Sequence, residues 1–129
     1  DGQALKFASA QLQADREIVL EAVVQSRHRA ECAFAHAADA LKRDRAFVIE
    51  AIRTSWRAFI HAADELKRDR DFVLAAIAVD CDALSCVADD LTGDRGFVLE
   101  AVQKCSRALQ YVAGDFKSDR EIVLQAVQA

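Results

Sequence analysis

Ala58-Phe59-Ile60-His61-Ala62-Ala63-Asp64-Glu65-Leu66-Lys67-Arg68-Asp69-Arg70-Asp71-Phe72-Val73-Leu74-Ala75-Ala76-Ile77 reads as two apolar stripes on either side of an Asp-Arg pair. Before the pair, apolar residues fall at offsets zero, one, four, five and eight: Ala58, Phe59, Ala62, Ala63 and Leu66. That spacing lines one face of a helix. After the pair, Phe72, Val73, Ala76 and Ile77 repeat it, and Leu74 widens the face enough to meet neighbours on two sides. The stretch is therefore expected to form two short helices.

The same stretch recurs along the chain. Asp-Arg stands at Asp15-Arg16, Asp44-Arg45, Asp69-Arg70, Asp94-Arg95 and Asp119-Arg120, and the last four copies are 25 residues apart. Aligning on them brings Ala4, Ala33, Ala58, Ala83 and Ala108 into register, each eleven residues before its Asp. Five units result, at about 1–25, 26–54, 55–79, 80–104 and 105–129, which together make one repeat domain over 1–129. One unit alone buries too few side chains to offset its conformational entropy, so neighbours must cover each other's open faces. The expected architecture is all-α: a solenoid of five stacked two-helix repeats, about ten short helices, with its hand, right or left, open. No Pro and only four Gly interrupt it.

Each Asp of a pair falls where one helix ends and the next begins, the place of an N-cap. Each Arg then opens the second helix, within reach of acids such as Asp64 or Glu65, or of a group on the adjacent repeat. The five pairs are accordingly read as caps and inter-repeat tethers. The chain also starts and stops in the same phase of the repeat, and its ends (Leu5, Phe7, Ala8 and Leu12; Ile122, Val123, Leu124 and Val127) look like interior units rather than polar caps. With no Met, the chain is expected to be a segment of a longer array, or a processed chain whose ends a partner covers. A four-residue insertion around Ser26-Arg27-His28-Arg29-Ala30-Glu31-Cys32 adds about one helical turn. It is read as a tolerated surface extension, with a docking point as the alternative.

The pattern Ala-Leu-x-x-Ala-x-x-x-Leu-x-x-Asp-Arg-x-x-Val-Leu-x-Ala-Val resembles a family of short helical repeats described as a domain of unknown function, frequent in algal and protist proteins and in some bacteria. Leu109 to Val127 carries it, as do Asp1 to Leu5 and Asp15 to Val23. Asp1-Gly2 stands in for the family's Asn-Gly turn, whereas units three to five have Ser55-Trp56, Asp80-Cys81 and Cys105-Ser106. The resemblance implies a fold and no activity.

Catalytic and metal chemistry find little foothold. His36 and His61 share a phase filled elsewhere by Phe7, Cys86 and Tyr111. That makes them core or groove fillers before it makes them ligands, although a metal or pigment site between them is a third hypothesis. Cys32, Cys81, Cys86 and Cys105 form no Cys-x-x-Cys. Cys81 and Cys105 lie one phase apart in successive connectors, where a disulfide would form in an oxidising compartment; reduced thiols are the default expectation. No Gly-x-Ser-x-Gly elbow or Gly-rich phosphate loop is present, so no enzyme is expected and no cofactor is implied.

Lys42-Arg43 and Lys67-Arg68, each ahead of an Asp-Arg pair, would stack into a basic edge able to meet nucleic acid or an anionic surface. The net charge of −4 and the nearby Asp39, Asp64, Glu65, Asp89 and Asp90 favour a solvated, salt-bridged face instead. No apolar run approaches the roughly twenty residues of a transmembrane helix.

The functional expectation is a non-catalytic protein–protein interaction or scaffold module: an accessory subunit of a larger assembly, or part of a longer repeat array, with other protein subunits as partners. Nucleic-acid or anionic-surface binding through the basic edge is the alternative. Twelve Arg against five Lys, with abundant Ala, suit a GC-rich algal or protist genome. An intracellular setting is expected, organellar (chloroplast, in a photosynthetic assembly) if a targeting segment has been removed.

Overall fold

The structure, a computed structural model, describes residues 2–26 and 32–129. Most of the insertion, including His28, lies outside them, and so does the question of whether it extends a helix. Among the described residues there are helices and turns and no strand. No helix of theirs is long and apolar enough to cross a membrane.

The long helices α2 (Arg16–Ser26), α4 (Arg45–Thr54), α6 (Arg70–Val79), α8 (Arg95–Lys104) and α9 (Arg120–Gln128) form the second half of each repeat. The first half departs from one continuous helix. It begins with a 3₁₀ segment: η1 (Gly2–Phe7), η2 (Ala33–His36), η3 (Trp56–His61), η4 (Cys81–Cys86) or η5 (Ser106–Gln110). A one-turn helix follows: α1 (Ala10–Gln13), α3 (Asp39–Arg43), α5 (Asp64–Arg68), α7 (Asp89–Thr92) or the 3₁₀ turn η6 (Gly114–Ser118).

Between the two pieces the backbone is extended, as at Ala38 (φ −61°, ψ 147°) and Ala62 (φ −65°, ψ 157°). The freed amides serve the stack. Ala38 N–H donates to the Gln13 carbonyl at 2.9 Å and Ala63 N–H to the Lys42 carbonyl at 3.0 Å, each in the preceding repeat. A buried amide needs a partner, and here the partner lies across the repeat interface rather than along the helix. The apolar spacing runs through this break unaltered, with Ala58, Phe59, Ala62 and Leu66 all buried.

By its contacts the chain divides into two compact units, Asp1–Leu66 and Lys67–Ala129, the boundary falling inside the third repeat. In the first, α2 packs on η1, η2 and α4, while η2 packs on η1 and η3. In the second, α8 packs on α6, α9 and η5, and η4 on η5. The core is the double-sided face of the long helices: Phe47, Val48, Ala51 and Ile52 in α4, and Phe97, Val98, Ala101 and Val102 in α8. In α6 the face reads Phe72, Val73, Leu74, Ala76 and Ile77, the widening by Leu74 included. Small residues sit where backbones approach: Ala33, Ala51, Ala83, Ala101 and Ala108 have no exposed surface.

The connectors need no glycine. No described residue has positive φ, and Ser55, Asp80 and Cys105 turn the chain in extended geometry near φ −150° (−157°, −148° and −151°) that any residue adopts. That is why three units dispense with the Asn-Gly of the family pattern.

At Ala101 the interior is closed on every side, so Ala101→Leu is expected to destabilise the fold by about 1–3 kcal/mol. Urea denaturation followed by circular dichroism measures it, and an unchanged midpoint would show the packing to be looser than described.

Candidate functional site

The Asp-Arg pairs form a ladder. Each Asp opens a long helix and its Oδ1 accepts the amide three residues on: Ile18 to Asp15 (3.1 Å), Phe47 to Asp44 (3.0 Å), Phe72 to Asp69 (3.1 Å), Phe97 to Asp94 (2.7 Å) and Ile122 to Asp119 (3.2 Å). At Asp44 and Asp119 the second oxygen takes the Arg of the preceding repeat. Arg16 Nη1 donates to Asp44 Oδ2 at 2.6 Å, and Arg95 Nε to Asp119 Oδ2 at 2.8 Å. Arg70 lies 3.7 Å from Asp94. Arg16, Arg70 and Arg95 thus each close on the helix cap of the repeat that follows. Arg16 also lies over the Phe47 ring, 4.8 Å from its centroid.

A third partner completes the fork, and its position follows the sequence. Arg95 Nη2 donates to Glu121, two residues after its Asp, at 2.5 Å. Arg70 Nη2 instead reaches Glu100, six residues after Asp94, at 2.5 Å. The intervening Gly96 keeps the path clear, since a Cβ there would lie 3.2 Å from Asp94 Oδ1 and 3.4 Å from Arg70 Nη2. Glu100 and Glu121 were not singled out from the sequence; an acid two or six residues after the Asp is the signal that finds them.

The electrostatics follow the geometry. The Phe47 amide and then Arg16 hold the Asp44 carboxyl below the usual carboxylate range. At Asp119 the order is reversed, Arg95 first and the Ile122 amide second. Contact with Asp119 and Glu121 raises Arg95, and contact with Glu100 raises Arg70.

The basic edge is engaged where the first unit shows it. Lys42 Nζ donates to the Ala35 carbonyl at 2.8 Å, and Arg43 lies 3.6 Å from Glu65. Lys42 and Arg43 line a polar cleft of about 380 Å³ together with Asp39, Asp64 and Glu65, so acids share the surface with the bases. Lys67 and Arg68 belong to the second unit, Lys67 half-buried and Arg68 exposed.

His36 and His61 are half-buried at the ends of η2 and η3. Among the described residues no group of three or more His, Cys, Asp or Glu could hold a metal ion. In the same phase of the fifth repeat, the Tyr111 hydroxyl donates to Asp82 Oδ1 of the fourth at 2.6 Å. That bond is the first cause of Tyr111's raised pKa.

Cys81 and Cys105 are joined as a disulfide, their Cα atoms 6.1 Å apart. This corrects the expectation of reduced thiols: successive connectors in equal phase stack, and stacking places the two sulfurs in bonding range. Burial raises the pKa of both free thiols, Cys32 and Cys86, away from the thiolate form on which reactivity depends.

Two apolar surfaces complete the inventory. In the first repeat a cleft of about 520 Å³ is lined by Leu5, Ala8, Ile18, Glu21 and Ala22, with Phe7 85% exposed. In the fifth, Val127 is 76% exposed and Leu124 42%.

Because Asn still caps a helix, Asp44→Asn isolates the charge. The Asp44 carboxyl titrates lower in the folded chain than in the unfolded one, so its contribution is complete above about pH 4 and is lost as pH falls through the folded value. Asp44→Asn is expected to lower the urea midpoint slightly at pH 7 and to make the loss of stability below pH 4 shallower than in the parent. Parallel curves would show that the Asp44 charge does not contribute.

The family model for a domain of unknown function, DUF4116, matches residues 44–92 and 94–129. No curated protein and no solved structure matches the chain.

Proposed function

The chain belongs to the DUF4116 family, and on that premise we propose that it is a non-catalytic protein–protein interaction module, an accessory part of a larger assembly or a stretch of a longer repeat array. The observation that carries this reading is the pair of bare apolar faces, around Ile18 in the first repeat and Val127 in the fifth. Apolar side chains in contiguous exposed patches mark binding surfaces. The described polar groups support the same reading: the Asp-Arg pairs bond across repeats, and the free thiols are held away from the thiolate form.

The Lys42-Arg43 surface does not favour the alternative of nucleic acid. A phosphate-binding ridge needs cations free of internal acids, and here Lys42 is bonded to a carbonyl while Arg43 faces Glu65.

Purification of the native protein from its source, with mass spectrometry, tests the reading. Stoichiometric protein partners are expected, and Ile18→Asp or Val127→Asp should strip them while circular dichroism stays unchanged. Recovery of the chain alone under gentle conditions, or partners indifferent to both substitutions, would count against docking through these faces.

A further inference from the structure

We propose that the Cys81–Cys105 disulfide is a redox switch on the junction between the fourth and fifth repeats, opened by a dithiol reductant that attacks through Cys105. The bond does not come with the repeat pattern: 25 residues earlier, its two places are held by Trp56 and Asp80. It belongs to one junction, inside the compact unit Lys67–Ala129.

The two sulfurs are not equally placed. Cys81 opens η4 and is 4% exposed, whereas Cys105, in the connector between α8 and η5, is half-buried. A disulfide that offers one sulfur to solvent is open to thiol exchange. The reductant's thiolate bonds Cys105 Sγ, and the bond between the two cysteines breaks with its electron pair passing to Cys81, which takes up a proton. The reductant's second thiolate then attacks its own sulfur in the mixed disulfide, and Cys105 leaves and takes up the second proton. Two protein thiols and one oxidised reductant result.

The junction that this bond closes lacks a tie found elsewhere. Ala38 and Ala63 give their amides to Gln13 and Lys42 of the preceding repeat. In the fifth repeat the corresponding pair is Ala113 and Thr92, and among the described residues no backbone bond joins them. A cleft of about 310 Å³ lies there, lined by Thr92, Gly93, Tyr111 and Ala113. The contacts that cross between η4 and the fifth repeat converge on Asp82, which takes the Tyr111 hydroxyl at 2.6 Å and lies 3.7 Å from Arg107. Asp82 is the residue after Cys81, so the disulfide anchors the backbone that presents it. The long helices are joined independently: α8 packs on α9, and Arg95 holds Asp119 and Glu121. Reduction therefore loosens η5 from η4 and leaves α8 packed on α9.

The air-oxidised chain, treated with dithiothreitol in the absence of denaturant, tests the switch. Alkylation with iodoacetamide after unfolding, read by mass spectrometry, should add two groups before treatment, on Cys32 and Cys86, and four after it. Brief exposure to glutathione, quenched in acid, should leave glutathione on Cys105. Amide hydrogen exchange in η4 and η5 should speed up by roughly tenfold or more on reduction, with α8 and α9 as protected as before, and oxidised glutathione should restore the first pattern. Cys81→Ser with Cys105→Ser places at each site the residue that the repeat already carries at Ser106 and Ser55; this variant should show the reduced pattern and ignore dithiothreitol. Four alkylated cysteines in the air-oxidised chain, a bond that dithiothreitol reaches only after unfolding, or glutathione captured on Cys81 would overturn the proposal. So would reduction that leaves exchange in η4 and η5 unchanged, or that exposes α8 and α9 to the same degree.

Discussion

The long helix α8 is buried from two sides, and such sharing between neighbouring repeats is what each compact unit depends on. The face that reads Phe97, Val98, Ala101 and Val102 leaves no surface exposed because α6 covers it from one direction and α9 from the other. A 25-residue unit has no second layer of its own. Its stability is a property of its neighbours. The Asp-Arg ladder adds register more than energy, since exposed ion pairs contribute little net stabilisation. At Asp44 and Asp119 one oxygen caps the helix and the other takes the previous repeat's Arg, so a single side chain sets both helix start and repeat alignment there.

Much of this is visible in the sequence because the two periods involved are simple. The 25-residue spacing of Asp-Arg and the positions of Phe72, Val73, Leu74, Ala76 and Ile77 suffice to mark an all-α repeat and the buried face of its long helix. The break inside the first half is not visible. Ala62 and Ala63 continue the apolar spacing whether the chain is helical or extended there, and the reason for the extension, an amide given to the preceding repeat, is a tertiary contact. The choice of Glu100 over a nearer acid for Arg70 is hidden in the same way, because it turns on the room left at Gly96. The Cys81–Cys105 bond depends on how closely two connectors stack, which equal phase suggests and sequence does not measure.

Within each compact unit, neighbouring repeats use their apolar faces and their ladder on each other. The first and fifth repeats carry the same residues with less cover: Ile18 is 39% and Val127 76% exposed where their counterparts are not, and among the described residues no ion pair holds Arg120 or Asp15.

The central claim is that stability passes from repeat to repeat, and native-state amide hydrogen exchange on a Phe97→Ala variant tests it most directly. Removing that ring opens a cavity in α8 alone, a loss of about 3–5 kcal/mol for a buried Phe. The account predicts that protection falls in α6 and α9 as well as in α8, because each is covered by the helix that has lost its side chain. Loss confined to residues 95–104, with α6 and α9 as protected as before, would contradict it.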